Sequence, residues 1–325
     1  MCSARCWRTC MNPLEITEAP APVAVYFFMP KILAGDVELF YDERGAGEPI
    51  LLIMGLATQM IAWEEAFCDQ LASCGYRVIR FDNRDVGLSQ RFEQIEPISL
   101  SSIILRAALN LSVDVPYTLS DMANDAVGIL DALGIDSAHI VGASMGGMIG
   151  QIMAIEFPNR VKTLTSIMSH PGGRRSFMTF PRVLRVLLRQ PSKTREGLIE
   201  HYVDVYRVLC GLPDQFDSDR IRTLAAMALD RHPVRGSLPR HIGAIMASGS
   251  RRKALRGLQT PTLMVHGTRD PLVRPYGARV MERLIPNARV EWIEDMGHEL
   301  PTWAWSQIIG AISAHAGSDS AALAV

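Results

Sequence analysis

The sequence predicts an α/β fold: a doubly wound, mostly parallel sheet interrupted by an all-helical insertion. Three observations predict it. Short apolar runs recur between stretches of helical period, at the spacing of strand–helix–strand units. Several runs are apolar throughout rather than alternating, as strands buried on both faces of a parallel sheet are. From about residue 171 to 256 only helical patterns occur, and the strand pattern resumes at Pro261.

Taken in order, residues 1–28 read as a separate, poorly ordered extension with no clear period, holding Pro20 and Pro22. The globular part begins near Met29. Gly35 to Glu43 alternates as a half-buried strand does. Pro49 to Met54 is a continuous apolar run ending in Gly55, and a helix is expected from Ile61 to Cys74, with Gly75 to stop it. Tyr76 to Phe81 is the next strand, feeding a polar loop, Asp82 to Ser89. A helix starts at Thr118 to Asp121 and runs through Ala126, Ile129 and Leu133 to Gly134. Ala138 to Gly150 reads as a short apolar strand, a sharp turn carrying a serine and then a helix, and Val161 to Met168 is another strand after Pro158.

The insertion is expected to hold four helices: one starting at Phe180-Pro181 and continuing through Leu184, Val186 and Leu187, then Glu196 to Leu209, Ile221 to Leu229 and Leu238 to Ala247. Phe177, Met178, Phe180, Leu184 and Leu187 would form an apolar stripe on the first, able to select short to medium apolar groups. Strands at Pro261 to Gly267 and Ala288 to Ile293 resume the sheet. A helix from Thr302 to His315 closes it, before a small-residue tail, Ala316 to Val325, expected to fray. The chain therefore divides into a core at 29–170 and 257–325 and a helical cap at 171–256.

Composition narrows the partners. At 325 residues with 48% hydrophobic content the chain supports one large α/β core with an insertion. A net charge of −1 gives no reason to expect nucleic acid or an anionic membrane surface. No apolar run is long enough to span a bilayer, and the basic N-terminus lacks the unbroken apolar stretch of a secretory signal. Cys2, Cys6 and Cys10 share a helical spacing but have no His or Cys cluster to complete a metal site, so no metal or cofactor is expected. Cys68, Cys74 and Cys210 read as reduced thiols of a cytoplasmic protein. The oligomeric state is not legible.

The chemistry centres on Gly142-Ala143-Ser144-Met145-Gly146. A serine at the tip of a sharp strand-to-helix turn needs flanking residues without a Cβ, and glycine stands two positions away on each side. The turn also sets Ser144 at a helix start, where free N–H groups favour developing negative charge. A serine hydroxyl is a weak nucleophile and needs a base oriented by an acid. Asp270 follows a late strand, in Gly267-Thr268-Arg269-Asp270-Pro271, and is the expected acid. His298 follows the last strand, in Asp295-Met296-Gly297-His298, and is the expected base. Strand ends on one edge of a parallel sheet face one crevice, which lets the three meet.

The other histidines have no such place. His139 and His266 border strands and read as structural. His170, His201, His232, His241 and His315 fall in or near helical stretches or at the C-terminus. For the oxyanion, the backbone N–H groups of Met145 and of Leu56, after the early buried strand, are the expected donors.

With these motifs in place the chain resembles the α/β-hydrolases that carry a helical cap, over about Met29 to His315. The residues that carry the resemblance are Met54-Gly55-Leu56, Phe81-Asp82-Asn83-Arg84-Asp85-Val86-Gly87-Leu88-Ser89, the Ser144 elbow, His266-Gly267-Thr268-Arg269-Asp270 and Gly297-His298. It most resembles the serine carboxylesterase branch, including small-molecule and polyketide methylesterases. That resemblance implies an esterase without cofactor, acting on small apolar esters through an acyl-enzyme on Ser144. Family members often have His-Gly where this chain has Met54-Gly55. A serine at 144 speaks against the carboxylate-nucleophile dehalogenases and epoxide hydrolases. The same triad also serves C–C bond hydrolases, perhydrolases and lactonases, and the fold also serves ligand receptors with little turnover.

Overall fold

The computed structural model describes residues 31–92, 99, 102–103, 105–106, 109, 111–173, 181–187, 189, 192–232 and 236–322. The extension expected at residues 1–28, with Cys2, Cys6 and Cys10, lies outside them, as do Phe177, Met178 and Phe180 of the expected stripe.

Eight strands form one sheet: β1 (Lys31–Ala34), β2 (Val37–Arg44), β3 (Glu48–Ile53), β4 (Tyr76–Phe81), β5 (Ala138–Ala143), β6 (Val161–Ile167), β7 (Thr262–Gly267) and β8 (Arg289–Ile293). Their spatial order is β1-β2-β4-β3-β5-β6-β7-β8. β1 and β2 pair antiparallel, as do β2 and β4, and all later pairs are parallel. The helices are α1 (Glu65–Ser73), α2 (Leu119–Ala132), α3 (Met145–Glu156), α4 (Pro181–Leu187), α5 (Arg195–Leu209), α6 (Ser218–Arg231), α7 (Ser237–Ser248), α8 (Arg252–Leu255), α9 (Tyr276–Leu284) and α10 (Trp305–Ala322).

The period-2 alternation of the strands builds two cores from one sheet. Leu51, Ile53, Ile140 and Met264 face one side, where they meet α2, α3 and α9 through Ile129, Met145, Ile149 and Met281. Ile50, Leu52, Val141 and Val265 face the other, against Phe67 and Leu71 of α1 and Ile308 and Ile312 of α10. This two-sided cover is why β5 and β7 are buried at every position and why their sequences do not alternate. Thr118 caps α2 through a reciprocal pair of bonds, the Thr118 N–H to Asp121 Oδ2 at 2.7 Å and the Asp121 N–H to Thr118 Oγ1 at 3.4 Å.

The structure departs from the sequence reading at five elements, one of them α8, a fifth helix in the insertion where four were expected. β1 precedes the first expected strand. It is four residues long at the sheet edge, with Lys31 and Leu33 exposed, so it carries no readable alternation. The helix expected from Ile61 is a short turn, Met60–Ala62, followed by a break before α1. α9 has no counterpart in the reading, because Pro271 and Pro275 mask its start. α10 runs to Ala322, past the expected end at His315, since alanine sustains a helix and no proline interrupts it.

Between β6 and β7 the described residues form helices α4 to α8 and no strand. No helix among the described residues is long and apolar enough to cross a membrane.

Candidate active site

Ser144 occupies the turn between β5 and α3 with φ +55° and ψ −114°, a backbone region that side-chain-bearing residues rarely enter. The neighbouring glycines are required by close approach. A Cβ on Gly142 would lie 2.2 Å from the Gly146 carbonyl oxygen, and one on Gly146 would lie 2.0 Å from that of Ile53. The turn is thus pressed between two strands, which projects the hydroxyl beyond the sheet edge.

The loops after β7 and β8 deliver the other two residues to the same edge. Ser144 Oγ and His298 Nε2 are 3.0 Å apart, and His298 Nδ1–H donates to Asp270 Oδ2 at 2.7 Å. The second carboxylate oxygen, Asp270 Oδ1, accepts the N–H groups of Leu272 and Val273 at 2.9 and 2.8 Å. Burial alone would push the Asp270 carboxyl up. The imidazoles of His298 and His266 outweigh it together and hold the carboxyl at about 2, so it is ionised at neutral pH. An ionised carboxylate on Nδ1–H leaves Nε2 as the proton acceptor facing the serine.

The Met54-Gly55-Leu56 loop passes directly over the nucleophile. A Cβ on Gly55 would stand 3.2 Å from Ser144 Cβ and 3.8 Å from its Oγ. Met145 is the first residue of α3, so its N–H has no intrahelical partner. Among the described residues neither the Met145 N–H nor the Leu56 N–H makes a hydrogen bond. Two unspent donors beside a strained serine are what an oxyanion requires. Asp270, His298 and Ser144 are thus joined by hydrogen bonds, Met145 follows Ser144 directly, and Leu56 follows Gly55, which lies against Ser144.

A comparison of the whole chain with known families fits this geometry. The family model for the alpha/beta hydrolase fold matches residues 48–202 and 223–304.

The chain belongs to the α/β-hydrolase family.

This hydrolase is 32% identical to rhodomycin D methylesterase DauP of Streptomyces sp. (strain C5), over 87% of its own length and 96% of that protein's. It is 30% identical to rhodomycin D methylesterase DnrP of Streptomyces peucetius, over 88% and 98%. Among solved structures, a meta-cleavage product hydrolase from Pseudomonas fluorescens IP01 matches with a TM-score of 0.68 and 21% identity, over 89% of this chain and 97% of that one, a likeness of fold.

Three other histidines of the hydrolase lie in or beside the strands. His139 is buried in β5 with Nδ1 2.9 Å from Thr163 Oγ1. His266 donates from Nε2 to the Val273 carbonyl at 2.7 Å and lies 3.4 Å from Asp270 Oδ2. His170 corrects the sequence reading: it lies in the loop just after β6, at the strand end, not in a helical stretch. β6 ends at Ile167, so His170 falls on the same edge of the sheet as Ser144, where burial first and Arg251 second push its pKa down to about 3.

The Asp82 to Ser89 loop has a part that its sequence does not disclose. In the structure it receives the insertion. Asp82 pairs with Arg231 at the end of α6 at 3.0 Å, and Asp85 pairs with Arg240 of α7. Asp82 also accepts the N–H groups of Met60 and Leu88 at 2.7 and 3.0 Å, and Tyr117 donates its hydroxyl to Asp85 at 2.8 Å. Arg84, in the same loop, is engaged by Asp125 at 2.6 Å.

Proposed function

We propose that this protein is a serine carboxylic ester hydrolase and that Ser144, His298 and Asp270 are its catalytic triad. The observation that carries the reading is the continuous line of hydrogen bonds from Asp270 through His298 to a strained Ser144, with two unpaired N–H groups beside it. Ser144 Oγ attacks the ester carbonyl while His298 Nε2 takes its proton. The Leu56 and Met145 N–H groups hold the oxyanion. Collapse expels the alcohol, which takes the proton from His298 and leaves an acyl-serine. Water then attacks that acyl group with His298 as base, releasing the acid and restoring the hydroxyl.

The substrate class is the carboxylic esters of small apolar molecules. Methyl esters come first, because both Streptomyces relatives are named as methylesterases and match almost end to end. Helices α4 to α8, held on the polar loop after β4, act as the cap that roofs the crevice and limits substrate size.

The test is covalent labelling paired with turnover. A fluorophosphonate is expected to modify Ser144, and the wild type is expected to release methanol from small methyl esters. Ser144→Ala is expected to abolish both while remaining folded. Full turnover by Ser144→Ala would overturn the assignment. Labelling without turnover in a panel of esters, lactones and vinylogous diketones would favour a receptor, and turnover of the diketones alone would favour C–C bond hydrolysis.

A further inference from the structure

The two oxyanion donors are held by different means. Met145 begins α3 and is fixed by the helix itself. Leu56 stands in a loop, next to Ala57, which has φ +51° without being glycine. A residue in that region persists only where its surroundings over-determine it. The peptide units on both sides of Leu56 are pinned. The Gly55 carbonyl accepts the Thr58 N–H at 3.3 Å, the Leu56 carbonyl accepts the Thr58 hydroxyl at 2.9 Å, and the Ala57 N–H donates at 3.1 Å to Nδ1 of His241.

His241 lies on α7, in the insertion, 184 residues away from Ala57 along the chain. Its Nε2–H donates to the Arg84 carbonyl at 3.0 Å. Since a carbonyl accepts at Nε2 and an N–H donates at Nδ1, the neutral ring with its proton on Nε2 satisfies both contacts. The ring is fully buried. That burial pushes its pKa down to about 4, with Arg84, Asp85 and Arg240 as the charges facing it. The Tyr117 ring stands edge-on at 6.1 Å. The platform beneath it is rigid, because Arg84 and Asp85 are tied into ion pairs with Asp125 and Arg240.

We propose that His241 is a positioning residue for the oxyanion loop: by accepting the Ala57 N–H at Nδ1 it fixes the peptide plane after Leu56, and together with the Thr58 N–H on the Gly55 carbonyl, which holds the plane before it, keeps the Leu56 N–H turned to the nucleophile. The insertion then completes the catalytic site as well as covering it. This inference rests on the reading of Leu56 as an oxyanion donor.

Three substitutions in the full-length chain separate the contacts. His241→Asn keeps an acceptor near the Nδ1 position, His241→Gln keeps a donor near Nε2, and His241→Phe keeps ring volume with neither. Two rates are read: kcat and KM on a p-nitrophenyl ester, and the second-order rate of Ser144 phosphonylation. Misdirecting one oxyanion donor is expected to lower kcat about 10- to 100-fold in His241→Phe and His241→Gln, with KM within about threefold, phosphonylation slowing in parallel, and His241→Asn recovering most of the rate. Unchanged kcat in His241→Phe, or recovery by Gln and not by Asn, would overturn the proposal. If His241→Phe does not fold, the Asn and Gln pair decides. If the wild type turns over no ester, the proposed function fails, while the phosphonylation rates still decide the role of His241.

Discussion

The backbone N–H of His298 donates to the carbonyl of Leu209 at 2.8 Å. The loop that bears the imidazole is thereby joined to the last residue of α5, an insertion helix. The junction is tight on both sides. A Cβ on Gly211 would lie 1.9 Å from the Asp295 carbonyl oxygen, and one on Gly297 would lie 2.1 Å from that of Leu209.

Gly211→Ala is therefore expected to displace the His298 loop, since the obstructing atoms are backbone and cannot rotate away. Misplacement of the base by part of an ångström is expected to lower kcat about 10- to 100-fold with a smaller change in KM. Steady-state kinetics on a p-nitrophenyl ester check it; an unaltered kcat would mean that α5 yields and the imidazole does not.

Asp270→Asn should keep the fold, because an amide oxygen can still accept the Leu272 and Val273 N–H groups. It is expected to lower kcat by about 10⁴, the cost of stabilising the wrong imidazole tautomer in the serine-protease precedent. A variant that retains a tenth or more of the wild-type rate (roughly the threshold that excludes such a loss) would remove Asp270 from the triad.

The ion pair between Arg231 and Asp82 has side-chain exposures of 2% and 0%, whereas that between Arg195 and Asp230 has 56% and 65%. The first is desolvated and the second is not. Arg231→Met strands a buried carboxylate and is expected to cost about 3–5 kcal/mol of stability, with Asp82→Asn in the same chain recovering part of it. Arg195→Met is expected to cost under about 1 kcal/mol. Urea denaturation distinguishes the two; equal losses would contradict the burial argument.

Acid should destabilise the protein in a defined window. His170, His241 and His315 have folded pKa values near 3, 4 and 4, below the ordinary 6.5, with burial the largest cause in each. Between those values and 6.5 the unfolded chain binds protons that the folded chain refuses, so stability rises with pH there and is lost as pH falls. Asp270, held at about 2 against 3.8, adds a further loss below that range. Tm is expected to fall steadily from about pH 7 to about pH 4 and to be flatter above it. A constant Tm across that interval would show that these imidazoles are protonated in the fold.

The legible parts of this protein are those encoded by short-range pattern. β3, β5 and β7 are readable because burial on both faces demands unbroken apolar runs. The Ser144 elbow is readable because its backbone excludes a Cβ at two fixed offsets. Asp270 and His298 are readable because each follows a strand whose end must face the elbow. β1 and α9 escape because one is too short for a period and the other begins behind prolines.

By itself the sequence determined the layered α/β architecture, the turn that strains Ser144, and the positions of Asp270 and His298 just after the two last strands. Those follow from local sterics and from which residues water rejects. Only the tertiary structure decided that Arg231 meets Asp82, that Arg240 meets Asp85, and that His241 holds Ala57. Those partners are 149, 155 and 184 residues apart. No periodicity encodes such pairings, because they are selected by how the insertion lands on the sheet edge. In a buried, low-dielectric junction, each polar group then takes whichever complementary partner the packing brings within reach.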